Sequence, residues 1–208
     1  MAELKALSQA IVDGDRGRAV SLTKEALAAG LDPRTILNDG LIAGMNVIGQ
    51  RFRNNEVYIP EVLVASRAMK MAMEALSPPL AEAKFQAACK VVLGTVQGDL
   101  HDIGRKLVAM MLRGGGFEVI DLGVDVATET FVDSAKKSGA KIVAMSALLT
   151  TTMPAMERVI RALKDAGCDV KTMVGGAPVT KAYADRIGAD AYGEDAMVAV
   201  DLARELAK

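Results

Sequence analysis

Hydrophobic positions follow two rhythms along the chain, and the change falls near Ser77-Pro78-Pro79. Before that point apolar residues recur every three or four positions, the period of a helix with one buried face. The pattern predicts four helices: one over 3–12, one over 18–29, a third opening at Pro33 and a fourth over 60–76. Gly14 and Gly30 end the first two, since glycine accepts the left-handed turn that follows many helices. Asp32 offers a side-chain cap, and Pro33 suits the first helical position. Leu37, Leu41, Met45, Ile48 and Phe52 then form one apolar stripe. In the fourth helix Val62, Ala65, Met69 and Leu76 do the same. Four such helices joined by short loops predict an up-and-down bundle.

After the two prolines short apolar runs alternate with helical segments. Strands are expected at 90–95, 118–122, 142–146, 170–174 and 191–192. Helices are expected at 103–113, 128–138, 153–166, 180–187 and 195–207. Continuous apolar strands, rather than alternating ones, indicate a sheet covered on both faces. The expected architecture is therefore α/β: a helical domain over 1–84, then a doubly wound, five-stranded parallel sheet over 85–208. The stretch 77–84 is the expected connector. In such sheets ligands bind beyond the carboxyl ends of the strands.

Composition narrows the class. Half of the 208 residues are apolar (51%), enough for a real core, but only 3% are aromatic and 12 are Met. A formal net charge of −1 is unlike the basic footprint of a nucleic-acid binder. No apolar run approaches a membrane span, and Met1-Ala2-Glu3-Leu4-Lys5 lacks the form of a secretory signal. Two cysteines, Cys89 and Cys168, make neither a disulfide framework nor a metal quartet. These features lead to the expectation of a cytoplasmic protein without nucleic-acid or membrane partners.

The unusual residues gather at predicted strand ends. The first strand runs into Gly94-Thr95-Val96-Gln97-Gly98-Asp99-Leu100-His101-Asp102-Ile103-Gly104, which holds the only histidine of the chain. Imidazole suits a borderline transition metal. A carboxylate at Asp99 would take the other ring N–H and fix the tautomer. Gly98 and Gly104 allow sharp turns and close approach. The third strand ends in Ser146-Ala147-Leu148-Leu149-Thr150-Thr151-Thr152, where the Ser146 hydroxyl is expected to reach Asp99. The fourth ends in Gly175-Gly176-Ala177-Pro178. Taken singly these are bland signals: a loop histidine, a turn, a threonine cap. Their order is what carries information.

Asp99-x-His101-x-x-Gly104 is followed after 41 residues by Ser146-x-Leu148, and after 26 more by Gly175-Gly176. That order and spacing resemble the cobalamin-binding signature of methionine synthase and its relatives. The two-part chain resembles the small corrinoid proteins of methyltransferase systems. The resemblance implies a helical cap followed by a flavodoxin-like, Rossmann-like cobalamin-binding domain. It implies cobalamin or a related corrinoid held base-off/His-on, with the cofactor's own base displaced into a slot and His101 ligating cobalt. Asp99 would orient His101, and Ser146 would support Asp99. Gly98, Leu100, Asp102, Ile103, Gly104, Leu148, Thr150, Gly175, Gly176, Ala177 and Ala196 would bind the cofactor with them. A β-branched residue at Gly175 would block the slot. The cap residues Phe52, Ile59 and Val62 would meet the corrin, with Asn46, Pro60 and Met69 in matching segments.

The same resemblance implies a methyl carrier that is not catalytic alone. Cobalt(I) would take a methyl group on a substrate:corrinoid methyltransferase. Methyl-cobalt(III) would pass it to tetrahydrofolate or coenzyme M on a corrinoid:acceptor methyltransferase. A reductive activase is a further expected partner. The donor could be a methylamine, methanol, a methoxylated aromatic or a betaine. Three alternatives predict different observations. A cobalamin-dependent mutase subunit would carry an adenosyl upper ligand. A cobalamin-responsive sensor would change partners on illumination. A cofactor-free receiver-like domain would be colourless.

Overall fold

The computed structural model describes residues 2–82 and 89–208. It divides into two compact units, Met1–Gln86 with Gly114–Gly116, and Ala87–Arg113 with Phe117–Lys208. The expected boundary between 84 and 85 lies outside the described residues.

The first unit is helical. Its elements are α1 (Ala2–Val12), α2 (Arg16–Ala28), α3 (Pro33–Thr35), a π-helical segment (Ile36–Ile42), α4 (Ala43–Arg53) and α5 (Ile59–Glu82). Asp15 caps α2 by accepting from the Arg18 N–H, and Asp32 caps α3 by accepting from the Thr35 N–H. The third expected helix thus begins where its cap predicts, but its first turns widen into the π form. An apolar spacing of three to four residues fits either winding, so the pattern could not separate them. Two glycines in this stretch face α1 at close range. A Cβ at Gly40 would come 2.7 Å from Leu7 Cδ2, and one at Gly44 would come 2.7 Å from the Ser8 carbonyl oxygen.

The fourth helix corrects the expected connector. It does not stop near Leu76 but carries Pro78 and Pro79 inside it. Two backbone donors are missing there. Against that loss, Leu76 and Leu80 are both buried one turn apart, and the Ser77 hydroxyl donates to the Met73 carbonyl at 2.7 Å.

The second unit is a five-stranded parallel sheet in the order β2-β1-β3-β4-β5: β1 (Lys90–Thr95), β2 (Glu118–Asp121), β3 (Ile142–Ser146), β4 (Lys171–Gly175) and β5 (Ala191–Gly193). The helices are α6 (Ile103–Gly114), α7 (Thr128–Ser138), α8 (Pro154–Asp165), α9 (Lys181–Ile187) and α10 (Ala196–Leu206). Every strand and helix expected in this unit is present within a residue or so of its sequence bounds. Val92, Val143 and Val174 on adjacent strands are essentially inaccessible, and Phe131 and Met156 pack in the same core. In α8, Ala155, Met156, Val159, Ile160 and Leu163 are buried, a one-sided helical stripe.

Strand order reverses between β1 and β3, which makes their carboxyl ends the switch point. The register there is a single row. Thr95 pairs with Ser146, Ser146 with Gly175, and Gly175 with Gly193. Motifs more than forty residues apart in sequence are thereby brought to one edge.

Candidate functional site

The chain leaves β1 at Thr95 and turns through Gly98, whose φ of +86° favours glycine. Asp99 follows and is fully buried, while the His101 side chain is half-exposed. The Thr95 hydroxyl donates to the His101 carbonyl at 2.9 Å, pinning the loop from the strand end. Asp99 Oδ1 accepts from the His101 N–H at 3.1 Å and lies 2.7 Å from His101 Nδ1. Its Oδ2 accepts from the backbone N–H of Leu148 at 2.7 Å and of Leu149 at 3.3 Å. The Thr152 hydroxyl completes the set at 2.8 Å.

This environment decides the charge of the carboxyl. Burial pushes its pKa up, but the Leu148 and His101 N–H groups, the His101 ring and the Thr152 hydroxyl together outweigh burial. They hold Asp99 well below the ordinary carboxylate range. An ionised Asp99 accepts a hydrogen bond from Nδ1–H, which favours the tautomer whose lone pair lies on Nε2. Among the described residues Nε2 has no hydrogen-bond partner.

Asp99 therefore finds a hydroxyl, but not the expected one. Ser146 is not among its partners; Thr152 is. Ser146 is the last residue of β3, and its backbone oxygen is taken by the Val96 N–H. Thr152 lies a turn further on, where the chain folds back over the carboxylate. Three threonines follow Leu149 in sequence, and nothing in the pattern marks which of them turns inward. The two leucine N–H donors left no sequence signal either, since any residue type supplies them.

The remaining expected residues divide by exposure. Leu100 and Ile103 are each 71% exposed, and Leu148 and Leu149 each 42%. Four large apolar side chains thus stand in water on the segments that hold His101. Asp102 is half-buried and pairs with Lys106, while Thr150 and Ala177 are exposed. Ala196 is buried at the first turn of α10. In the helical unit Ile59 is exposed and Phe52 half-buried. Asn46 is half-buried, Pro60 exposed and Met69 buried. Val62 is completely buried.

The glycines also divide. A Cβ at Gly175 would lie 2.7 Å from the Gly193 carbonyl oxygen, and one at Gly176 would lie 2.0 Å from that of Ala147. Sheet packing itself therefore demands glycine at both positions. Gly104 is different, because a Cβ there would meet nothing within 4 Å.

Residues 89–201 match a B12 binding domain family, and residues 3–77 match a second family described as a B12 binding domain. The chain belongs to the B12-binding corrinoid proteins. Trimethylamine corrinoid protein 1 of Methanosarcina acetivorans is 46% identical over 199 residues, covering 94% of this chain and 92% of that protein. Among solved structures, a cobalamin-binding protein from Desulfitobacterium hafniense DCB-2 aligns with a TM-score of 0.82 at 33% identity, covering 98% of both chains. The methanol:cobalamin methyltransferase complex MtaBC of Methanosarcina barkeri contains a chain that aligns with a TM-score of 0.89 at 29% identity, covering 99% of this chain and 80% of that one.

The residues of this corrinoid protein fit such a cofactor. Among the described residues no group of three or more His, Cys, Asp or Glu gathers as a metal cage. A metal at His101 would therefore need its other ligands from outside the described residues, as a corrin ring would supply. The exposed leucines and Ile103 offer the apolar surface that a large planar ring requires.

Proposed function

We propose that this corrinoid protein holds its cofactor base-off/His-on, with His101 Nε2 as the lower ligand to cobalt. The buried Asp99 carboxylate at 2.7 Å from His101 Nδ1 carries this reading. It fixes the tautomer that turns Nε2 outward, and it holds the ring in one orientation before any ligand arrives. When bound, the corrinoid supplies a cobalt centre that can accept and release a methyl group.

The chain's own work is to bind, orient and shield. Leu100, Ile103, Leu148 and Leu149 provide apolar contact. Gly98, Asp102, Ser146, Thr150, Gly175, Gly176, Ala177 and Ala196 belong to the same strand-end region and bind the displaced tail. In the helical unit Phe52 and Ile59 keep surface for the ring. Asp99, saturated by donors, remains an acceptor for His101 rather than a proton source for substrate.

The role is that of a methyl carrier in the cytoplasm. It serves a substrate:corrinoid methyltransferase, a corrinoid:acceptor methyltransferase acting on tetrahydrofolate or coenzyme M, and a reductive activase. Similarity to a trimethylamine corrinoid protein along nearly the whole chain favours a methylated amine as donor. The reading is tested by reconstituting the full chain with cob(II)alamin and recording its electron paramagnetic resonance with isotope-labelled histidine. Wild type should show nitrogen coupling from imidazole, and His101→Ala should lose that coupling while retaining corrinoid. Unchanged coupling in the variant would remove His101 from cobalt.

A further inference from the structure

In the loop after β2, Asp125 makes two hydrogen bonds to the ligand loop. Asp125 Oδ1 accepts from the Gly98 N–H at 2.7 Å, and the Asp125 N–H donates to the Asp99 carbonyl at 2.9 Å. These two bonds bracket the dipeptide immediately before Leu100 and His101. Asp125 holds a φ of +51°, in the left-handed region that L side chains rarely adopt and that Asp and Asn tolerate best. Such a conformation persists only where its surroundings over-determine it.

The surroundings do so. Asp121, at the end of β2, accepts from the Gly123 N–H at 3.1 Å and pairs with the buried Arg105. The Gly123 carbonyl accepts from the Thr95 N–H at 2.9 Å, and the Val126 N–H donates to the Thr95 carbonyl at 3.0 Å. The loop is thus tied to the end of β1 on both sides of Asp125. Asp125 is the point at which this fixed loop grips the His101 loop.

We infer that Asp125 is a positioning residue for His101, acting through the backbone of Gly98 and Asp99. This rests on His101 being the lower ligand. Asp99 orients the imidazole ring; Asp125 sets where the peptide carrying Asp99 lies. Gly98, at φ +86°, has no side chain to stiffen it, so the Asp125 carboxylate supplies the restraint.

Three substitutions separate the acceptor from the backbone conformation. Asp125→Asn keeps an oxygen acceptor and tolerates positive φ. Asp125→Gly keeps the conformation and removes the acceptor. Asp125→Ala removes both. Each full-length variant is loaded with cob(II)alamin, and imidazole coupling is read by electron paramagnetic resonance with isotope-labelled histidine.

Asp125→Gly should bind corrinoid but raise the ratio of imidazole-free to imidazole-bound cobalt about fivefold, the effect of one lost hydrogen bond. Asp125→Ala should do at least as much, and Asp125→Asn should match wild type. A Gly variant with wild-type coupling, or an Asn variant as impaired as Gly, overturns the inference alone. A wild type without imidazole coupling overturns the His101 reading and this inference with it. Amide exchange in the wild-type apoprotein needs no variant: slow exchange at Gly98 is expected, and exchange at the rate of an open loop would sink the proposal.

Discussion

A single buried carboxylate organises the site. Asp99 sits in a pocket where an unpaired charge would be costly, and five donors make ionisation favourable there. The pair Asp99–His101 was legible in the sequence because their spacing puts a carboxylate within reach of an imidazole. The hydroxyl partner was not, because Ser146 and Thr152 are equally plausible until the turn after Leu149 is known. Gly104 offers a clean test at this scale. Its missing side chain serves no packing purpose in the protein itself. Gly104→Ala should therefore leave the apoprotein as stable as wild type or up to about 1 kcal/mol more so, since alanine is the better helix former. The same change should weaken corrinoid uptake, as measured by spectroscopic titration, if the cofactor lies against this position. Loss of apoprotein stability would instead make the glycine structural.

The elements divide by how local their causes are. Strands β1 and β3 were read within their observed bounds because buried parallel strands are short, apolar and flanked by turn residues. The π-helical segment and the passage of α5 through Pro78 and Pro79 were not legible. Both depend on what the helix packs against, and that information is absent from local propensity. The row Thr95, Ser146, Gly175 and Gly193 shows the same limit for the site. Thr95, Ser146 and Gly175 were expected at strand ends, but only the pairing explains why Gly175 is a glycine, since a Cβ there would lie 2.7 Å from the Gly193 carbonyl oxygen. Gly175→Ala should destabilise the apoprotein by about 1–3 kcal/mol, because the new methyl would press on the backbone of β5. Chemical denaturation in the absence of corrinoid measures this. A wild-type midpoint would return Gly175 to a purely ligand-clearing role.

At the scale of the molecule, two units share one chain, and both match B12 binding domain families. Among the described residues no helix is long and apolar enough to cross a membrane. Edge strand β5 is held to β4 partly by Asp190. Its Oδ2 accepts from the Thr172 N–H and hydroxyl, both at 2.8 Å, and Lys171 lies beside it. Burial raises the Asp190 pKa, but these partners prevail and hold it below the ordinary range. A carboxylate depressed in the folded state stabilises above the unfolded value of about 4, and that contribution is lost as pH falls through the folded value. Asp190→Asn should therefore cost about 1–2 kcal/mol at neutral pH. The gap from wild type should close below about pH 4 in thermal melts across pH, and a gap independent of pH would assign the effect to shape rather than charge.

The exposed Leu100, Ile103, Leu148 and Leu149 have one more consequence. A polypeptide made faster than its cofactor is supplied would circulate with an oily rim open to any other unsatisfied surface. Vitamin supply would then govern how long the newly made chain stays dispersed, as well as how much of it can work.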